Sequence, residues 1–291
     1  MNRRHFVGAA ALALALPALA ATPRFERGLL WRVTGKSAPA SHVYGTLHAA
    51  DARLAEFPSV VQHALGTARS VMLEFVPDGY GRERFMQAAL FADRETLEQK
   101  IGSPDFERAV AALGPLGLSR DLVNRMKPWS VLVNLQARQT GQAPGPDERL
   151  RELARARGVP TYQIENVDEQ VFTFDEFPMD SQIALLKHSL AHGTELAALA
   201  AQTVEAYLAE DLSAIWRLRE QFGARHPEIA AHQAVMTKRV VHDRSVVMAF
   251  RMQRELRRGD AFVAFGAVHL YGPKGVLALL QADGYRAVRA S

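Results

Sequence analysis

The chain has 291 residues, of which 48% are hydrophobic, 23% charged and 8% aromatic, proportions that exclude a disordered, fibrous or multi-span membrane protein. Cysteine is absent, which excludes disulfides, thiolate nucleophiles, Cys-ligated zinc and iron–sulfur clusters, so any metal must be held by His, Asp and Glu. With 35 basic and 31 acidic residues the formal charge is +4, and no Lys/Arg block with interleaved aromatics argues for a nucleic-acid partner.

Residues 1–20 read as an export signal. Arg3 and Arg4 precede an uncharged apolar stretch over residues 6–16, and Pro17 leads into Ala18-Leu19-Ala20, the small-x-small pattern of a cleavage site before Ala21. That stretch is short of the roughly 20 residues a permanent membrane anchor needs. Losing Arg3 and Arg4 leaves 33 basic against 31 acidic residues, or +2. Asn2-Arg3-Arg4-His5-Phe6-Val7 also resembles a twin-arginine signal, with Asn in place of the hydroxyl residue and Val in place of Leu. The expected location is periplasmic or secreted, with no permanent membrane span after processing.

Residues 29–34 and 41–46 are β-rich runs joined by Gly35-Lys36-Ser37-Ala38-Pro39-Ala40, which predicts a hairpin. Residues 71–76 form a short apolar run broken by Glu74, as expected of a buried strand in a largely parallel sheet. Residues 85–133 are helical in tendency, punctuated at Gly102-Ser103-Pro104 and Gly114-Pro115-Leu116-Gly117. A strand over 161–164 follows a helix ending near Gly158, and a strand over 261–265 follows a helix ending at Gly259. Between them, apolar spacing over 181–220 predicts two or more long helices, part of a helical insertion spanning about 175–245. A helix over 275–282 and a strand over 285–289 close the chain. The expected fold class is α/β, one domain over residues 21–291, with a mostly parallel or mixed central sheet built from both chain ends, flanked by helices.

Gly45-Thr46-Leu47-His48 and Gly266-Ala267-Val268-His269 each stand where a β run ends, and strand ends form the ligand crevice of open α/β sheets. Composition alone predicts roughly 0.7 Gly-x-x-His pairs by chance. A third, Gly223-Ala224-Arg225-His226, has no strand before it and reads as a decoy. Glu74 interrupts an apolar strand, so its carboxylate needs a cation, a donor or a metal, and Glu165 poses the same question at the end of the 161–164 run. Two histidines and two glutamates at strand ends match a hard or borderline divalent metal with a position open to water. His188 and His192, four apart on a helix, lack the Glu of a His-Glu-x-x-His site and read as a solvated face. Trp129 reads as a core or crevice-wall aromatic, with substrate stacking as the alternative, and Asp147-Glu148-Arg149 as a helix start, with a contact to the site as the alternative. No Gly-x-Ser-x-Gly elbow occurs, which disfavours a serine triad.

Val43-Tyr44-Gly45-Thr46-Leu47-His48, Met72-Leu73-Glu74, Lys127-Pro128-Trp129, Gln163-Ile164-Glu165 and the run from Phe265 through Gly266, His269 and Pro273 to Val276 together resemble the TraB/GumN family, in the family's order and across nearly the whole mature chain. That family is similar to the Tiki metalloproteases. The resemblance implies a divalent-metal-dependent hydrolase, a peptidase, with zinc, manganese or cobalt held by His48, His269 and Glu74, Glu165 as base, and Tyr44 and Arg244 stabilising the oxyanion. Arg244 stands where the family has Arg-Asn, with Ser245 here replacing Asn. The implied partner is a peptide or small-molecule substrate. Two alternatives stay open: a metal-free His/Glu hydrolase of the erythromycin-esterase-like type, and a non-catalytic protein that binds a peptide, haem or an iron complex.

Overall fold

The structure, a computed structural model, describes residues 25–35, 37–49, 51–140 and 145–290. The expected export signal and its cleavage site lie outside the described residues. Six strands, Leu30–Thr34 (β1), Ser41–Thr46 (β2), Ser70–Leu73 (β3), Thr161–Gln163 (β4), Ala261–Gly266 (β5) and Arg286–Arg289 (β6), form one sheet in the order β4-β3-β5-β2-β1-β6. β4, β3, β5 and β2 are mutually parallel, and β1 runs antiparallel between β2 and β6. The mixed sheet drawn from both chain ends and flanked by helices is therefore observed.

Burial follows strand position. Ala261, Phe262, Val263, Ala264 and Phe265 of central β5 are all buried, as an apolar run covered on both faces requires. The edge strands differ: β4 exposes Tyr162 and Gln163, and β6 carries Arg286 and Arg289 outward, charges that discourage pairing with another chain. Two boundaries depart from the sequence reading. β3 ends at Leu73 rather than Val76, because the chain turns at Glu74 to present its carboxylate to the end of β5. The last strand starts at Arg286, because the Tyr285 N–H instead closes the helix Val276–Ala282 by bonding the Leu280 carbonyl at 3.0 Å after Gly284 at φ 88°.

The helices between β3 and β4 include Gly79–Ala88, Ser103–Leu113 and Pro128–Thr140, with Gly102 and Gly117 at φ 83° and 80° making the expected breaks. Trp129 is buried, stacks on Phe174 with ring centroids 5.3 Å apart, and donates its indole N–H to Asp175 at 2.9 Å, which makes it a core aromatic. The helix Pro146–Ala156 leads into β4. From there the chain runs through Met179–Ala191, Gly193–Leu208 and Leu212–Arg225, then Ala230–Met236, a π-helical turn over Thr237–Asp243, and Arg244–Arg258. A π-turn inside a helix widens one turn and re-aims the residues after it, and here it delivers Arg244.

Four parallel strands place four carboxyl ends on one edge of the sheet. The registers Thr46↔Gly266, Leu73↔Ala264 and Leu73↔Gln163 align them, so the residues just beyond each strand meet across the edge.

Candidate active site

Glu74 follows β3 and Glu165 lies two residues beyond β4. Backbone bonds from Ile164 N–H to Leu73 O (2.8 Å) and from Glu165 N–H to Glu74 O (3.1 Å) hold the two side by side. Between them lies Arg244, which is 8% exposed. Its Nη2 donates to Glu74 Oε1 at 2.5 Å and to Glu165 Oε2 at 2.6 Å, and its Nε donates to Glu165 Oε1 at 3.0 Å. The other Glu74 oxygen accepts the Gly266 N–H at 2.7 Å. The cation and the donor that Glu74 needs are thus Arg244 and the end of β5. Burial pushes the Glu74 carboxyl up, and Arg244, His269 and the Gly266 N–H together outweigh it, so Glu74 stays ionised well below the usual carboxylate range. Glu165 also accepts from Gln170, and Arg244 and Gln170 together take up both of its oxygens.

His269, 2% exposed, sits on the short 3-10 turn after β5. Its tautomer follows from its neighbours. The Ser245 hydroxyl donates its one proton to Val241 O at 2.7 Å, so at 2.9 Å from His269 Nδ1 it can only accept. Nδ1 therefore carries the proton, directed at Ser245 Oγ and at Val241 O (3.2 Å), and Nε2 keeps its lone pair. Burial holds the His269 pKa down to about 4 against the opposing charge of Glu74. Ser245, at the position where the resemblance carries Asn, thus orients a motif histidine.

The two motif glycines serve different ends. A Cβ on Gly45 would lie 2.5 Å from Leu270 Cδ1 and 3.0 Å from Ala267 Cα, so close approach of β2 to the turn after β5 demands glycine. On Gly266 a Cβ would meet only ordinary contacts, 3.5 Å from Glu74 Oε2 and 3.6 Å from His269 Cδ2. What matters at Gly266 is its N–H. His48 keeps more than a third of its surface exposed, yet protein packed around its ring lowers its pKa, with the Glu74 charge acting the other way. Gly145 packs on that ring so closely that a Cβ there would lie 2.9 Å from His48 Cε1.

Gly145 introduces a residue that sequence reasoning read first as a helix start, with a contact to the site as the alternative. Gly145, not Asp147, is the N-cap of Pro146–Ala156, and Asp147 points inward, 6% exposed. The nearby Phe75 N–H favours its charged form, and its Oδ1 has no hydrogen-bond partner among the described residues. Burial, and after it the negative charge of Glu74, raises the Asp147 pKa well above that of an ordinary aspartate. The usable signal was spacing: Asp147, Leu150 and Ala154 share one helix face, and the latter two are fully buried.

Tyr44 does not join this group. Its hydroxyl is 3.0 Å from that of Tyr207, which donates to Gly45 O at 2.9 Å, and its ring packs edge-on against Phe57. Side chains alternate along β2, so Tyr44 lies on the sheet face opposite its neighbour Gly45. The helix-borne histidines also depart from the sequence reading. His188, His192 and the decoy His226 come together with Glu228, one ligand atom from each lying within 4.8 Å of the others, a cluster that can hold a metal. Among the described residues no three of His48, Glu74, Asp147, Glu165 and His269 converge as tightly.

A mixed sheet flanked by helices, with Glu74, Asp147, Glu165, Arg244 and two histidines gathered at its carboxyl edge, defines the class: an α/β protein with a polar strand-end crevice. The chain belongs to the TraB/PrgY/gumN family, whose match covers residues 29–289. No curated protein and no solved structure matches it.

Proposed function

We propose that the chain is an exported hydrolase that cleaves a peptide or similar carbonyl substrate at the strand-end crevice. The observation that carries this reading is the contrast at one crevice between Glu74, whose oxygens are bound by Arg244 and the Gly266 N–H, and Asp147, a buried carboxyl with an unpartnered Oδ1; these surroundings drive their proton affinities in opposite directions. Such a split separates a permanent anion from a group that can hold and return a proton. Asp147, with its orphaned Oδ1, takes the general acid–base role in place of Glu165, whose oxygens are engaged by Arg244 and Gln170. Arg244 keeps Glu74 ionised and in place. Ser245 keeps the His269 Nε2 lone pair available, and His48 stands at the open side.

The donor chemistry fits the divalent metal that the resemblance to Tiki-type metalloproteases implies. Neutral imidazoles at His48 and His269 and the ionised Glu74 would hold it, and the unpartnered buried oxygen of Asp147 marks a place where positive charge is wanted. When bound, such an ion supplies Lewis-acid polarisation of a carbonyl and a water of lowered pKa. The Nε2 lone pair of His269 and the unpartnered Oδ1 of Asp147 also support a second reading, in which His269 and Asp147 perform hydrolysis without a metal. For location, the Ala18-Leu19-Ala20 pattern supports export, and no helix of the described residues is long and apolar enough to cross a membrane.

The test is turnover of a peptide library by processed, tag-free protein, with metal content measured on the same samples. Asp147→Asn is expected to lose on the order of 100-fold in kcat with metal retained, the scale of a lost general acid–base group. His269→Ala is expected to lose the crevice equivalent of metal and activity together. Full activity in chelator would select the metal-free reading. Absence of turnover after metal reconstitution would overturn both and leave a binding protein for a peptide, haem or an iron complex.

A further inference from the structure

We propose that His188, His192, His226 and Glu228 form a second metal site, a closed four-ligand centre for a zinc-like transition-metal ion that ties together the ends of two helices. His188 lies in the last turn of Met179–Ala191 and His192 is its C-cap residue. His226 is the C-cap of Leu212–Arg225, and Glu228 stands in the 3-10 turn that follows. The three imidazoles are mutually packed, with centroids 4.3 Å (188 and 192), 4.5 Å (188 and 226) and 4.7 Å (192 and 226) apart.

Three observations point to an ion among them. First, His188 Nε2 is buried without a hydrogen-bond partner among the described residues, the side chain being 6% exposed. A buried ring nitrogen facing other acceptors is costly unless something positive lies between. Second, all four ligand atoms lie within 4.8 Å of one another, and two of the pairs already stand at the spacing of a coordination polyhedron. Four ligands at zinc distances on a tetrahedron stand about 3.4 Å apart. Glu228 Oε1 is 3.5 Å from His188 Nε2 and 3.3 Å from His226 Nδ1.

Third, the outer contacts suit a ligating tautomer. His226 Nε2 lies 2.9 Å from Glu195 Oε2, and Glu195 is itself held by Arg225 at 2.9 Å. With Nε2 as the donor to Glu195, Nδ1 faces the Glu228 carboxylate at 3.3 Å, and a lone pair there would set two acceptors nose to nose. A cation between them resolves the conflict, and a carboxylate on the far nitrogen is the usual support of a metal-bound histidine. Three imidazoles and one carboxylate suit zinc, cobalt, nickel or copper rather than magnesium or calcium, and four protein ligands make a structural site. Phe222, Phe177, Leu185 and Ile229 form a separate small core around these helix ends, so an ion there would pin the helical insertion rather than act in the strand-end crevice.

The experiment is titration of tag-free, chelator-stripped protein with Co2+ alone, read by visible absorption, which is intense only for tetrahedral cobalt. His192→Ala and Glu228→Gln are the variants, because their side chains are 39% and 58% exposed and the fold tolerates change there; circular dichroism checks this. One equivalent is expected to give the tetrahedral spectrum in wild type and equally in His48→Ala. Affinity is expected to fall at least tenfold in His192→Ala and Glu228→Gln, and Zn2+ is expected to raise the Tm of wild type but not of these two. No tetrahedral spectrum in wild type would overturn the site, as would one that survives unchanged in both variants. Loss of the spectrum in His48→Ala alone would reassign the ion to the strand-end crevice and equally overturn it.

Discussion

His269 has one proton to place and two acceptors for it on the Nδ1 side, so protonating Nε2 would bury a cation against Arg244. Its folded pKa of about 4 lies below its unfolded value near 6.5, so its contribution to stability is complete above pH 6.5 and is lost as pH falls from 6.5 toward 4. The loss for this one group is about 3 kcal/mol, since each pKa unit corresponds to about 1.4 kcal/mol. Asp147 has the opposite sign. Its folded pKa is raised, so its contribution is present below about pH 3.8 and is lost as pH rises through the folded value. In chelator, then, His269→Gln should flatten the decline in stability between pH 6.5 and 4, whereas Asp147→Asn should raise the Tm at pH 7. Denaturation across that pH range measures both. A lower Tm for Asp147→Asn at pH 7 would show that its carboxylate is compensated in the folded protein. The two motif histidines were legible from sequence because a glycine and a strand precede each. Asp147 was hidden because its acidic character and its Pro/Gly-rich surroundings mimic a helix cap.

At the scale of elements, the site depends on how closely β2, β3 and β5 end against one another. Gly45→Ala drives a methyl into Leu270 and the Ala267 backbone, and an overpacked contact of this kind costs about 1–3 kcal/mol. Gly266→Ala at φ −52° meets only van der Waals neighbours and should change stability by less than about 0.5 kcal/mol. Urea unfolding of the two variants compares them directly; equal losses would mean that the two glycines share one steric role. The strands themselves were visible in the sequence as apolar runs, β5 most clearly. Their ends were less so, because a tertiary bond to Gly266 stops β3 at Leu73 and a helix-closing bond delays β6 to Arg286. The grouping of His188 and His192 with His226 was invisible for a related reason. Periodicity assigns a residue to a face of its own helix and is silent about which other helix end packs there.

At the scale of the whole molecule, the fold class was readable because strand signals occur at both chain ends and helical spacing fills the middle. The strand order was not, since nothing local says that β5 lies between β3 and β2. Export belongs to this scale too. The intact mass of protein from the periplasm should correspond to a chain starting at Ala21, and a full-length mass in the membrane fraction would refute processing. The sheet order also governs when the molecule can exist at all. β2 and β3 share no pairing and are joined only through β5, which the ribosome delivers after residue 260. Until then a nascent chain holds two apolar strands with open edges, and both Arg244 and the carboxylates it binds lack the floor that β5 provides. Such a chain is slow to fold and exposed to aggregation and proteolysis. The same delay keeps the crevice unassembled during synthesis, so a chain cut short before β5 carries no working version of it.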